Sequence, residues 1–294
     1  MAEKKKLDVT SLSPAAQKII ETKKVSGDDR LKGWFTILRE VAAFDSMADE
    51  LRAKASKRFT IFLIISIVLL FLAFFTFGIT AILAIPCIVL AIVFYVKKKG
   101  YQKIDLANEF RSVLIPFLQT MSKDIQPKGR ISLTLDMAGP SKEKIVSEQE
   151  IPPGRFRKVK ETIRQDPWCR LNAPLTNGAR MVLQIDNLYV THDRYWRNPR
   201  GKSKHKAKWK KQVMVTAGLI PAGVLAFDKG EVESMAVMDK MKLKEKDKNQ
   251  MVRLTRKFKY KAVNQAPEES VTTDDLVGMF FHIGSALTEA QPGS

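Results

Sequence analysis

Cysteine and histidine are scarce in this chain, with two and three copies among 294 residues. Cys87 falls in a strongly apolar stretch and Cys169 in a polar region far from it, so no intramolecular disulfide is expected and a reducing compartment suits the composition. Both read as small buried hydrophobes. His192, His205 and His282 are scattered, without metal-ligating partners at helical spacing. Cys-x-x-Cys, His-Glu-x-x-His, a Walker phosphate loop and a dinucleotide fingerprint are all missing. No metal, cofactor or catalytic residue is expected. The nearest approach to an acid–base cluster is Asp186, His192 and Asp193, and a solvated loop accounts for it more simply.

Charge is missing altogether between Phe59 and Val96, a run of 38 residues. As one straight helix at ~1.5 Å per residue this run would reach roughly 57 Å, nearly twice the ~30 Å hydrocarbon core of a bilayer. Two spans fit instead, at residues 59–77 and 80–96, reversing near Phe77-Gly78-Ile79-Thr80. Gly78 offers the backbone freedom for that turn, and Thr76 and Thr80 can satisfy its backbone groups. The spans hold no ionisable residue, which speaks against an ion or proton pathway. Thr60, Ser66 and Thr76 keep open the alternative of a subunit in an oligomeric channel or transporter.

The flanks set the orientation. Lys54, Lys57 and Arg58 precede the first span, and Lys97, Lys98, Lys99 and Lys103 follow the second. Basic residues stay on the cytoplasmic side. Both termini are therefore expected to be cytoplasmic, in an integral membrane protein of a bacterial plasma (inner) membrane.

Residues 1–25 read as a loosely ordered segment with a short helix from Pro14 to Thr22. An amphipathic cytoplasmic helix is predicted over 26–58, opening at Ser26-Gly27-Asp28-Asp29, where small and acidic residues suit a helix N-terminus. A second is predicted over 97–123, from the spacing of Ile104, Phe110, Val113, Leu114, Phe117, Leu118 and Met121. Leaving one hairpin on the same side, the two helices are expected to bury their stripes against each other as a stalk; lying on the lipid surface is the alternative.

Beyond Asp124 the period changes to alternation, and 124–270 reads as a basic β domain. Strands are predicted at Ile131–Met137, at Trp168–Leu175 and, after the Asn177-Gly178 turn, through Met181, Leu183 and Ile185. Pro174 predicts an exposed edge there. Further strands are predicted at 202–219, 235–244 and 251–263, and an amphipathic helix from Thr273 to Glu289 within the tail segment 271–294. The expected class is an α+β membrane protein. A two-span hairpin with amphipathic extensions leads into a mainly antiparallel sandwich or partly open barrel, closed by a C-terminal helix.

Acidic residues are the other shortage. Formal charge is +19, and from Asp124 onward 31 Lys and Arg face 20 Asp and Glu. The stretch 197–211 holds Arg197, Arg200, Lys202, Lys204, Lys206, Lys208, Lys210 and Lys211 without one acidic residue. From Lys202 to Lys210 lysine takes every second position. In a strand these ammonium groups project to one side, with His205, Ala207, Trp209, Val213 and Val215 on the other. The pattern recurs at Lys240, Lys242, Lys244, Lys246 and Lys248, and at Lys257, Lys259 and Lys261. Edge protection is the plain explanation for one such ladder. Three beside a membrane anchor point to anionic lipid headgroups, an acidic protein partner being the other candidate. Nucleic acid ranks lower, because Trp209 alternates away from the lysines and no recognition motif is present. Self-association through the hairpin is left open. The function read from the sequence is a non-enzymatic membrane anchor or assembly protein.

Overall fold

The structure is a computed structural model describing residues 9–289, except 77, 153, 155, 223, 224, 229, 235–240, 247 and 248; for 241–246, 249 and 289 it describes the backbone alone. Residues up to Thr22 and Ile37–Leu106 form one compact unit, and Lys23–Thr36 with the chain from Ala107 onward forms the other.

The first unit is helical: α1 (Pro14–Thr22), most of α2 (Leu31–Leu72) and α3 (Ile79–Ile104). No proline interrupts the 42 residues of α2, so it runs unbroken, at ~1.5 Å per residue roughly 63 Å. Its polar half buries Leu38, Val41, Phe44 and Ala48, the three-and-four spacing that marks one helix face. The Ser13 hydroxyl and amide both donate to the Glu40 carboxylate, at 2.6 and 2.7 Å, which ties α1 to α2. Buried Asp45 accepts the Leu106 amide at 3.1 Å, and Arg52 pairs with Asp105 where α3 ends.

The apolar halves of α2 and α3 run antiparallel through Phe62 stacked on Phe94 and Phe59 against Tyr95, with ring centroids 5.7 and 5.6 Å apart. Gly78, with φ near +90°, lies in the reversal, and the Thr76 and Thr80 hydroxyls bond at 2.9 Å; Phe77 lies outside the described residues. Both helices are long and apolar enough to cross a membrane. Only 11% of each apolar window is buried, and Phe74 and Ile82 are 87% and 69% exposed. A core helix of a water-soluble protein would cover such a surface.

The second unit is built on one open, antiparallel eight-stranded sheet, ordered β1 (Lys24–Arg30), β2 (Arg130–Asp136), β4 (Lys158–Pro174), β5 (Arg180–Arg197), β6 (Ser203–Ile220), β9 (Asn249–Val263), β8 (Met241–Lys246). The remaining strand, β3 (Ile145–Ile151), pairs with the first half of β4 and β2 with the second half. The sheet is open and not closed into a barrel, and helices cover its buried face. Ile131, Leu133, Leu171, Met181, Leu183, Ile185, Val213, Val215, Val252 and Leu254 share its buried face.

That face is covered by a π-turn (Phe110–Leu114), α4 (Ile115–Thr120) and α5 (Thr273–Gly284). Phe110, Leu114, Phe117 and Leu118 are fully buried, and Phe117 meets Phe280 at 5.7 Å. Thr272 caps α5 by accepting the Asp275 amide at 3.1 Å while the Asp275 carboxylate accepts the Thr272 amide at 3.0 Å.

Several expectations are corrected. Residues 26–29 do not open a helix: they belong to β1, which takes up the free edge of β2 in register Val25↔Leu135. Trp34, in the first turns of α2, then packs over Gly27 and donates its indole N–H to the Ile131 carbonyl at 2.9 Å. The helix predicted over 97–123 is broken, because α3 ends at Ile104 in an extended Asp105, and the stripe from Phe110 to Met121 is spent covering the sheet. Pro174 is no edge marker; β4 lies inside the sheet, and Pro174 ends it where its carbonyl accepts the Gln126 amide at 2.9 Å. The last helix stops at Gly284, and Leu287–Glu289 forms β10 against β7 (Leu225–Phe227).

Candidate anion-binding face

The Asn177-Gly178 hairpin, with Gly178 at φ +86°, fixes the register of β4 against β5. A second hairpin joins β5 to β6 through Asn198-Pro199-Arg200-Gly201. Gly201 takes φ +74° there, and the Asn198 side chain accepts the Lys202 amide at 2.8 Å. Arg197, Arg200 and Lys202 cluster at this exposed tip. Proceeding from it, Lys204 pairs with Trp196, Lys206 with Arg194, Lys208 with His192 and Lys210 with Val190.

The neighbour on the other side of β6 is β9, where Lys261 lies directly opposite Lys210, Lys259 opposite Gln212 and Lys257 opposite Met214. Two lysine ladders thus share the sheet face away from the core, and all seven of these lysines are exposed. Next in the sheet, Lys242 and Lys244 take register positions opposite Arg253 and Met251; Lys240 and Lys248 lie outside the described residues. Among the described residues, Lys204, Lys206, Lys208, Lys210, Lys257, Lys259 and Lys261 form no ion pair. The nearby carboxylate, Glu161, is bound by His192 at 2.7 Å and Gln149 at 3.0 Å, bonds that hold its pKa below the usual range.

Lys211 belongs to the opposite face. It is 1% exposed, and its ammonium donates to Glu109 at 2.8 Å and to the Glu269 carbonyl at 2.9 Å. Being odd-numbered in the alternation, it is drawn inward and does not contribute to the basic surface. Ala207, Val213 and Val215 are buried as expected, Trp209 is half-buried against Tyr189 and beneath the Arg164 guanidinium, and His205 is exposed beside Asp193.

Two concavities, each of about 370 Å³, open on the basic face. One is lined by Lys210, Gln212, Lys259 and Lys261 over half-buried Leu188 and Val190. The other is lined by Lys206, Lys208, Arg194, Trp196 and Phe156. There the Arg194 guanidinium lies 5.1 Å from the Phe156 ring centre, and Phe156 meets Trp196 edge-on at 5.9 Å. Sequence reading missed Phe156 and Arg194; the Pro-Arg-Gly turn at 199–201 was the signal that pairs Arg194 with Lys206.

A buried charge cluster sits at the bulge in β4, where Pro167 and Trp168 interrupt the register with β5. Lys144 bridges Asp166 at 2.6 Å and Asp136 at 2.8 Å. Burial pushes the Asp166 carboxyl up to about 6, against the opposing pull of Lys144. Burial likewise raises the Cys169 thiol, leaving it protonated and inert.

The trio Asp186, His192 and Asp193 does not converge: Asp186 accepts from Gln184, His192 pairs with Glu161 and Asp193 with His205. Among the described residues no group of His, Cys, Asp and Glu is arranged to hold a metal ion. No protein-family model matches the chain, and comparison with curated proteins and with solved structures likewise gives no match.

Proposed function

We propose that this chain is a non-enzymatic, membrane-anchored module whose basic sheet face binds anionic lipid headgroups on the cytoplasmic side of the membrane. The α2–α3 hairpin is the anchor, inserted with both basic flanks inside. The observation that carries the reading is the register of β6 on β9. It sets Lys210 against Lys261 among exposed lysines that form no ion pair among the described residues, Glu161 being held by His192 and Gln149. Like charges directly opposite in a sheet are destabilising, so the arrangement favours an anion from outside. Each basic residue near an anionic leaflet contributes about 1 kcal/mol, and the attraction fades beyond a Debye length of about 8–10 Å.

The full chain held in phosphatidylcholine nanodiscs tests this. Its co-sedimentation with added vesicles should rise with their phosphatidylserine content and fall with salt. Replacing Lys206, Lys208 and Lys210 by Glu should abolish it. Equal sedimentation with neutral vesicles at every salt concentration would remove the reading.

A further inference from the structure

We propose that the cleft between β5, β6 and β9 is a discrete site for a phosphomonoester group, a ligand chemistry narrower than general attraction to anions. The inference rests on the headgroup reading above and assigns it a stereochemistry. Lys210 and Lys261 are direct cross-strand partners, which puts their Cβ atoms about 5 Å apart on one face. Lys259 follows Lys261 on the same face at the next alternate position, and Gln212 lies opposite Lys259. Three ammonium groups and one amide therefore surround a single concavity of about 370 Å³, the lower part of the range for small-ligand sites. No carboxylate lines it.

The chemistry of the lining selects among anions. A phosphomonoester carries about −1.5 to −2 charges and three strong acceptor oxygens near neutral pH, one oxygen for each lysine. A phosphodiester carries a single charge on two free oxygens, and leaves one of the ammonium groups unanswered. Leu188 and Val190, half-buried, form an apolar floor. They keep water from one side of the bound group and strengthen each charge-assisted bond. Occupancy also relieves the Lys210–Lys261 repulsion, so the ligand should raise the stability of the sheet as it binds.

Full-length protein in phosphatidylcholine nanodiscs is titrated with vesicles containing either phosphatidic acid, a monoester headgroup, or phosphatidylglycerol, a diester, at matched surface charge. Preference for phosphatidic acid by about tenfold is expected. The double substitution Lys210→Gln with Lys261→Gln should erase that preference while leaving binding to phosphatidylglycerol. Lys202→Gln with Lys204→Gln, which removes the same charge nearer the hairpin tip, should leave the preference intact. Glycerol 3-phosphate separates the sources: saturable binding that displaces phosphatidic acid vesicles assigns the cleft to soluble monoesters as well, and its failure beside a retained lipid preference restricts the cleft to headgroups. Equal affinity for the two lipids, or equal losses from the two double variants, overturns the discrete site while leaving the headgroup reading standing. Absence of recruitment by either lipid overturns both.

Discussion

Replacing Asp166 by Asn tests whether the β4 bulge holds a carboxyl group that prefers to be protonated in the folded chain. The ordinary aspartate value of 3.8 is raised to about 6 by burial, even with Lys144 at 2.6 Å. Between those two values the folded state binds a proton that the unfolded state does not, so stability rises as pH falls. The gain begins as pH drops through 6 and is complete below 3.8. A difference of about two pH units corresponds to roughly 3 kcal/mol. At about 2–4 °C per kcal/mol for a domain of this size, the unfolding midpoint should move by about 6–12 °C.

The assay is thermal unfolding of the full chain in nanodiscs, followed by far-ultraviolet circular dichroism between pH 7.5 and 4, for wild type and Asp166→Asn. Glu148 and Glu161 have carboxyls held low by Lys160 and His192 respectively, so their contribution has the opposite sign and is lost as pH falls below the ordinary glutamate value of 4.5. Subtracting the Asp166→Asn profile removes the titrations that are not coupled to Asp166, Glu148 and Glu161 among them. The wild type should steepen relative to the variant across pH 6 to 4. Parallel profiles would refute the assignment of the buried proton to Asp166.

Glu109→Ala should cost about 3–5 kcal/mol, because it strands the buried Lys211 ammonium. Lys211→Met should cost less, since Glu109 retains some exposure, and urea titration distinguishes the two. Trp34→Phe should cost about 1 kcal/mol through loss of the indole bond to Ile131. A fragment beginning at Ala107 leaves the β2 edge unpaired; it should aggregate, and a peptide of residues 23–36 should restore a monomer by size-exclusion chromatography. Thr272→Ala should cost about 0.5–2 kcal/mol through loss of the α5 cap, read from the same urea transitions.

Features whose cause is local were legible in the sequence. Asn177-Gly178 closes a hairpin wherever it falls between alternating segments, and the even-numbered lysines of β6 obey the two-residue period because only one face is solvated. The charge-free run announced a hairpin because its length exceeds one bilayer span and falls within two. Features that depend on a distant partner were not legible. Ser26–Asp29 has the composition of a helix start, yet the unpaired edge of β2 draws it into a strand. The stripe from Phe110 to Met121 has helical spacing that fits several partners, and only the sheet's buried face decides among them. Lys160 and Glu161 gave no apolar alternation, so β3 and the first half of β4 went unseen.

The pairing of β1 with β2 also has a consequence for the order in which the protein is made. Arg30 meets Arg130 across that ladder, and the whole hairpin lies between them. A nascent chain therefore releases β1 early and must hold it without this partner until the hairpin and β2 have been made. At about 5–20 residues per second, that wait lasts about 5–20 seconds. A chain that fails to bring β1 back to β2 leaves the edge of β2 open, the kind of edge that pairs with other chains.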